Sequence, residues 1–127
     1  MATWDDIRTA VAGLPETQEP CERSWRIRSK TVAWERPLRK ADREALGDRA
    51  PEGDILGVRV ADVGVKEALL AEDPAVYFTT PHFDGYPTVL VRLAEIRPAE
   101  LQELLRDAWL AQAPKKLART YLEEHPG

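Results

Sequence analysis

The chain is poor in the residues that usually build metal, redox and covalent-catalysis sites: its 127 residues include one cysteine, one methionine and two histidines. Cys21 has no partner for an intrachain disulfide, and one cysteine with His82 and His125 cannot complete the usual closed four-ligand zinc site. Long apolar runs are also missing. The longest span only a few residues, such as Thr88 to Val91, whereas a membrane helix needs about 20. The start, Met1-Ala2-Thr3-Trp4-Asp5-Asp6, has no basic stretch leading into an apolar one, so no signal peptide is expected. With a lone thiol, these absences point to the reducing cytoplasm and to no membrane contact. There is no phosphate-binding Walker loop, no GxGxxG fingerprint and no GxSxG elbow. No cofactor is therefore expected, and an enzyme ranks behind a binding module.

What is present fits one soluble domain over 1–127: 43% apolar residues for a core and 31% charged residues for a surface. The net charge is -4, but the charge is unevenly placed. Residues 22 to 43 hold eight basic side chains against three acidic ones, and residues 44 to 77 reverse that ratio. Binding responds to local potential more than to net charge, so this segregation matters for function.

Periodicity gives the elements. Ile7, Ala10, Val11 and Leu14 mark one face of a helix over 3–14, with Thr3 as N-cap and Asp5 and Asp6 in the first turn. Ser24 to Glu35 reads as a hairpin with its turn at Ser29-Lys30. Arg36 to Asp54 is loop-like, with a short helical turn around Leu38, Ala41, Ala45 and Leu46. A third strand follows over 55–60, then a helix capped by Asp62 and ended before Pro74. Strands over 76–79 and 88–93 come next. Leu101, Leu104, Leu105, Ala108 and Trp109 then form the clearest amphipathic pattern, and a last helix starts at Pro114. The order αβββαββαα predicts an α+β fold: a mainly antiparallel five-stranded sheet packed with helices, with room for one parallel pairing across the middle helix.

Phe78-Thr79-Thr80-Pro81-His82-Phe83-Asp84-Gly85-Tyr86-Pro87 concentrates special residues and runs into Val89-Leu90-Val91-Arg92-Leu93. Together with Lys30 to Trp34, Asp107-Ala108-Trp109 and Ala113-Pro114-Lys115-Lys116-Leu117, it resembles the MmcQ/YjbR family. The resemblance implies a compact α+β domain with a frataxin-like arrangement and carries that family's DNA-binding label. Iron handling through an acidic first helix is not carried over, because that helix offers only Asp5 and Asp6.

Three sites are candidates. The first is basic: Arg26, Arg28 and Lys30 on the hairpin, with Arg36, Arg39, Lys40 and Arg43 after it. Two apart on a strand, Arg26 and Arg28 would share a face and could neutralise phosphates while nearby rings stack on bases. The plainer reading is the solvated face of an antiparallel sheet. The second is the loop with His82, Asp84 and Tyr86, where a histidine and a carboxylate could form a base and its orienter. The plainer reading is a stiffened hairpin connection turning at Asp84-Gly85. The third is Lys115, at a helix start where an anion could sit or where an ordinary surface lysine stands. The leading reading is a monomeric, non-enzymatic module whose candidate partner is DNA. The alternative is a protein-interaction or small-anion-binding domain using the sheet face and the His82–Tyr86 loop.

Overall fold

The computed structural model describes residues 1–125. Helix α1 spans Trp4–Ala12, and strands β1 Thr17–Cys21, β2 Ser24–Ile27 and β3 Lys30–Glu35 follow. Then come α2 Lys40–Leu46, β4 Ile55–Arg59, α3 Val63–Glu72, β5 Tyr77–Phe78, β6 Thr88–Arg92, α4 Pro98–Gln112 and α5 Lys115–Glu124. The fold is α+β, as expected, but among the described residues the sheet has six strands, in the order β1-β2-β3-β4-β6-β5, and each strand runs antiparallel to its neighbours. The parallel pairing that the sequence left room for does not form: β6 inserts between β4 and β5 and pairs antiparallel with both.

The helix signals in the sequence are realised. Thr3 Oγ1 accepts from the Asp6 amide at 3.2 Å, and Asp6 Oδ2 accepts from the Thr3 amide at 2.8 Å, so the two cap each other. Asp62 Oδ1 accepts from the Val65 amide at 2.9 Å at the start of α3. In α4 all five residues of the apolar stripe are buried.

The unexpected strand is β1. Thr-Gln-Glu-Pro-Cys has no apolar alternation, and only its pairing with β2 makes it a strand. Glu19 fixes it. Its carboxylate accepts from Arg8 Nε and Nη2 (3.2 and 3.0 Å), from the Arg23 amide (2.9 Å) and from Trp25 Nε1 (3.0 Å). The Arg8 bonds first, then the Arg23 amide, hold the carboxyl below its ordinary value against the opposing effect of burial.

The sheet has two unlike faces. On one, Trp25, Ile27, Ala33, Val58, Val89 and Val91 pack with α1 and α4 into the main core, which includes Trp109 and Tyr121. Trp109 Nε1 donates to the Pro15 carbonyl at 3.1 Å and Trp4 Nε1 to Asp54 at 3.2 Å, so indoles in this layer tie distant loops to it. On the other face, Ile55, Phe78, Phe83 and Leu90 form a smaller cluster with Trp34, Leu38 and Leu46. This cluster covers the β4-β6-β5 side only.

Trp34 lies at the boundary of that cover. It pairs in register with Gly57, and a Cβ on Gly57 would stand 2.9 Å from two carbons of the Trp34 ring. Glycine here lets the indole lie flat on the sheet. Gly57→Ala should therefore displace the ring and destabilise the fold by about 1–3 kcal/mol, read as a lower urea midpoint with altered tryptophan emission. An unchanged midpoint would show that the ring has room to move aside. A second expectation concerns acid. Because the Glu19 carboxyl is depressed in the fold, its stabilisation is complete above the unfolded carboxylate value and is lost as pH falls through the folded one. Urea midpoints followed from about pH 6 to pH 3 should fall less steeply for Glu19→Gln than for the parent chain; parallel curves would contradict the assignment.

Candidate nucleic-acid interface

The antiparallel register places β4's end and β6's start together, Arg59 opposite Thr88, so the connections 60–62 and 79–87 meet at one end of the sheet. There Val60 N donates to the Pro87 carbonyl at 2.8 Å. The stronger tie is Lys66. It is buried in α3, and its Nζ donates to the Phe83 carbonyl at 2.6 Å and to the Tyr86 carbonyl at 3.1 Å. Burial lowers the pKa of this amine, against the opposing pull of Asp84 and Glu67. Nothing in the spacing of residues marks this role, since a lysine on a surface helix reads as solvated.

The His82, Asp84 and Tyr86 loop is thus a fixed connection. Pro81–Phe83 is a 3₁₀ turn, and Gly85 takes φ 79° next to Asp84. Phe83 points into the smaller cluster, while His82, Asp84 and Tyr86 are exposed, Tyr86 at 62%. Among the described residues no hydrogen bond joins His82 to Asp84, so the base-and-orienter geometry is not formed. Lys115 stands exposed at the start of α5, whose Leu117 and Tyr121 pack on the main core. It lies in the layer on the other side of the sheet from Phe83 and does not join the loop.

The seven basic candidates separate. Arg26 is exposed on β2 between the buried Trp25 and Ile27, so it projects from the second face. Arg28 does not share that face. The strand ends at Ile27, which pairs with Lys30 across a two-residue turn that begins with Arg28 at φ 54°. Arg28 Nε bonds Glu16 at 3.1 Å. Lys30 is exposed where β3 begins.

Arg36 is internal. Only 5% exposed, it bonds Asp42 at 3.0 Å and the Pro37 carbonyl, and its guanidinium lies 5.2 Å from the Phe83 ring centroid. Burial alone would raise the Asp42 carboxyl, but the Arg39 amide bond (2.9 Å) and the Arg36 charge outweigh it and hold it below its ordinary value. The Arg39 side chain, Lys40 and Arg43 are exposed around α2. Lys30 and α2 stand at opposite ends of β3, six residues or roughly 20 Å apart. The basic run therefore does not make one patch.

Not foreseen from the sequence is a groove of about 440 Å³ on the uncovered half of the second face, lined by Glu22, Arg23, Ser24, Thr31, Trp34, Glu35, Arg59 and Thr88. Arg23 is held by Glu35 at 3.0 Å and lies 4.8 Å from the Trp4 ring centroid. Arg59 is exposed and makes no ion pair among the described residues.

Lys66→Met would leave the Tyr86 carbonyl without its donor and the Phe83 carbonyl with the Tyr86 amide alone. The expected loss is about 1–3 kcal/mol of stability, with faster amide exchange confined to 81–87. Exchange that stays slow there would show that the loop is held by its own packing.

A model of the YjbR family matches residues 12–111. The match contains the 78–93 words and stops short of Ala113–Leu117. Uncharacterized proteins of Mycobacterium bovis and of two strains of Mycobacterium tuberculosis are each 62% identical over 125 residues, covering 96% of this chain and 97% of theirs. No solved structure matches the chain. With the family model spanning most of the fold and its relatives aligned almost end to end, the chain belongs to the YjbR family.

Proposed function

We propose that this protein is a non-enzymatic binding module that takes up single-stranded nucleic acid in the groove over Trp34. The observation that carries the reading is the half-buried Trp34 ring lying flat on the sheet over Gly57 in an otherwise uncovered groove, with the unpaired Arg59 in its wall. A flat ring offers a stacking surface to an unpaired base, and arginines beside it offer charge to the backbone phosphates. Arg26 projects from the same face of the sheet. Support has moved from the basic run itself to this ring, because Arg23, Arg28 and Arg36 are each neutralised by a carboxylate.

A second reading rests on the rigid loop. Tyr86 and His82 are held exposed by the Lys66 bonds, which suits a protein or small-anion contact.

Fluorescence anisotropy of a labelled single-stranded oligonucleotide, at low and moderate salt, separates the two. The groove reading expects binding that weakens with salt, tryptophan quenching, and an affinity loss of about tenfold or more in Arg26→Ala/Arg59→Ala with unchanged stability. Absence of binding at low salt, or full affinity in the double variant, overturns it. Binding lost instead in His82→Ala/Tyr86→Ala transfers the site to the loop. Preference for duplex would remove the stacking argument.

A further inference from the structure

On the helix-covered side of the sheet, α3 and α4 stand apart above the end of β4 and leave a cavity of about 380 Å³. Its wall is apolar: Val60, Val65, Leu69, Leu104 and Ala108. Its rim is acidic, with Glu72 from α3 and Glu100, Glu103 and Asp107 from α4. Asp107 lies 3.9 Å from Arg106, but no cation among the described residues pairs with Glu72, Glu100 or Glu103.

Tyr77 also lines this space. The residue is 3% exposed overall, no protein group among the described residues bonds its hydroxyl, and the hydroxyl oxygen is not sealed off but reaches the solvent of the cavity. Burial, and then the charges of Glu100, Asp73, Glu72 and Glu103, push its ionisation upward, so the hydroxyl stays protonated in a field of negative charge.

We propose that this cavity binds a small organic cation, an ammonium group carried on an apolar body. The body would replace water against the five apolar side chains. The ammonium would sit among the rim carboxylates and donate to Tyr77 Oη in place of solvent. A bare metal ion fits poorly, since it gains nothing from an apolar wall and prefers a shell of oxygen ligands. An anion is repelled. The volume lies within the range of small-molecule sites, about 300–1,000 Å³. The site is on the opposite side of the sheet from the Trp34 groove and stands independently of the nucleic-acid reading.

The test is a titration of the isotope-labelled full chain, followed by amide chemical shifts, with 2-phenylethylammonium and n-hexylammonium. The neutral 2-phenylethanol and the anionic 3-phenylpropionate serve as controls. Saturable shifts at Val65, Leu69 and Ala108 are expected for the ammonium probes, with the alcohol about tenfold weaker or more and the carboxylate inert. Glu100→Gln/Glu103→Gln should weaken the ammonium probes about tenfold and leave the alcohol unchanged, a pattern that a misfolded variant would not give. Tyr77→Phe should weaken the ammonium probes more than the alcohol. No saturable shift with either ammonium, equal binding of the alcohol, or full affinity in the double glutamine variant would overturn the proposal.

Discussion

The second face of the sheet is organised by one buried ammonium. Lys66 reaches out of α3 to two carbonyls of the β5–β6 connection, and the connection then carries Phe83 into place. The Phe83 ring receives the Arg36 guanidinium and stands 6.4 Å from Trp34. Arg36 in turn holds Asp42, which accepts from the Arg39 amide where α2 begins. Without that anchor, the loop, the small cluster and the start of α2 would each lose a neighbour they are built against. A charged donor can bear this load because hydrogen bonds from ionised groups are stronger than neutral ones, and removing a partner in a buried setting leaves the full desolvation penalty behind.

The same arrangement decides where the surface is open. Phe83 and α2 cover β4, β6 and β5 but stop at Trp34, so the part of the second face nearer β2 and β3 stays bare. The two cavities therefore differ in kind. One is a tryptophan-floored groove with two arginines and two glutamates in its wall, and the other is an apolar cleft with a carboxylate rim. The charge segregation along the sequence is not carried into space: Arg59 in the groove wall comes from the acidic stretch, Glu100, Glu103 and Asp107 at the cavity rim lie beyond it, and three arginines of residues 22–43 are neutralised by carboxylates.

Much of the fold was legible because it is local. Thr3 and Asp62 announce helix starts through their own side chains, and the α4 stripe shows its buried face through spacing alone. Strand β1 was not legible, because Glu19 and Pro20 argue against a strand and the pairing with β2 and the Arg8 and Trp25 bonds come from elsewhere in the chain. Lys66 and Arg36 were hidden for the same reason: a basic side chain is buried only when distant carbonyls or carboxylates receive it, and periodicity carries no record of them. The hairpin was found but its turn was placed one residue late, since Arg28 adopts a left-handed conformation that favours glycine. The displaced turn removed Arg28 from the face of Arg26. The loop that carries the family resemblance joins β5 to β6, as its Asp84-Gly85 turn signal suggests, while the groove over Gly57 depends on a cross-strand pairing that the sequence does not display.

The order of the strands has a further consequence. The two outer strands are β1, which is interrupted by Pro20 and an irregular register, and β5, which is two residues long and ends just before Thr79, Thr80 and Pro81. Neither margin offers a long row of free amides and carbonyls. Both margins are therefore poor templates for a further strand, and the sheet is guarded at its edges against pairing with another chain.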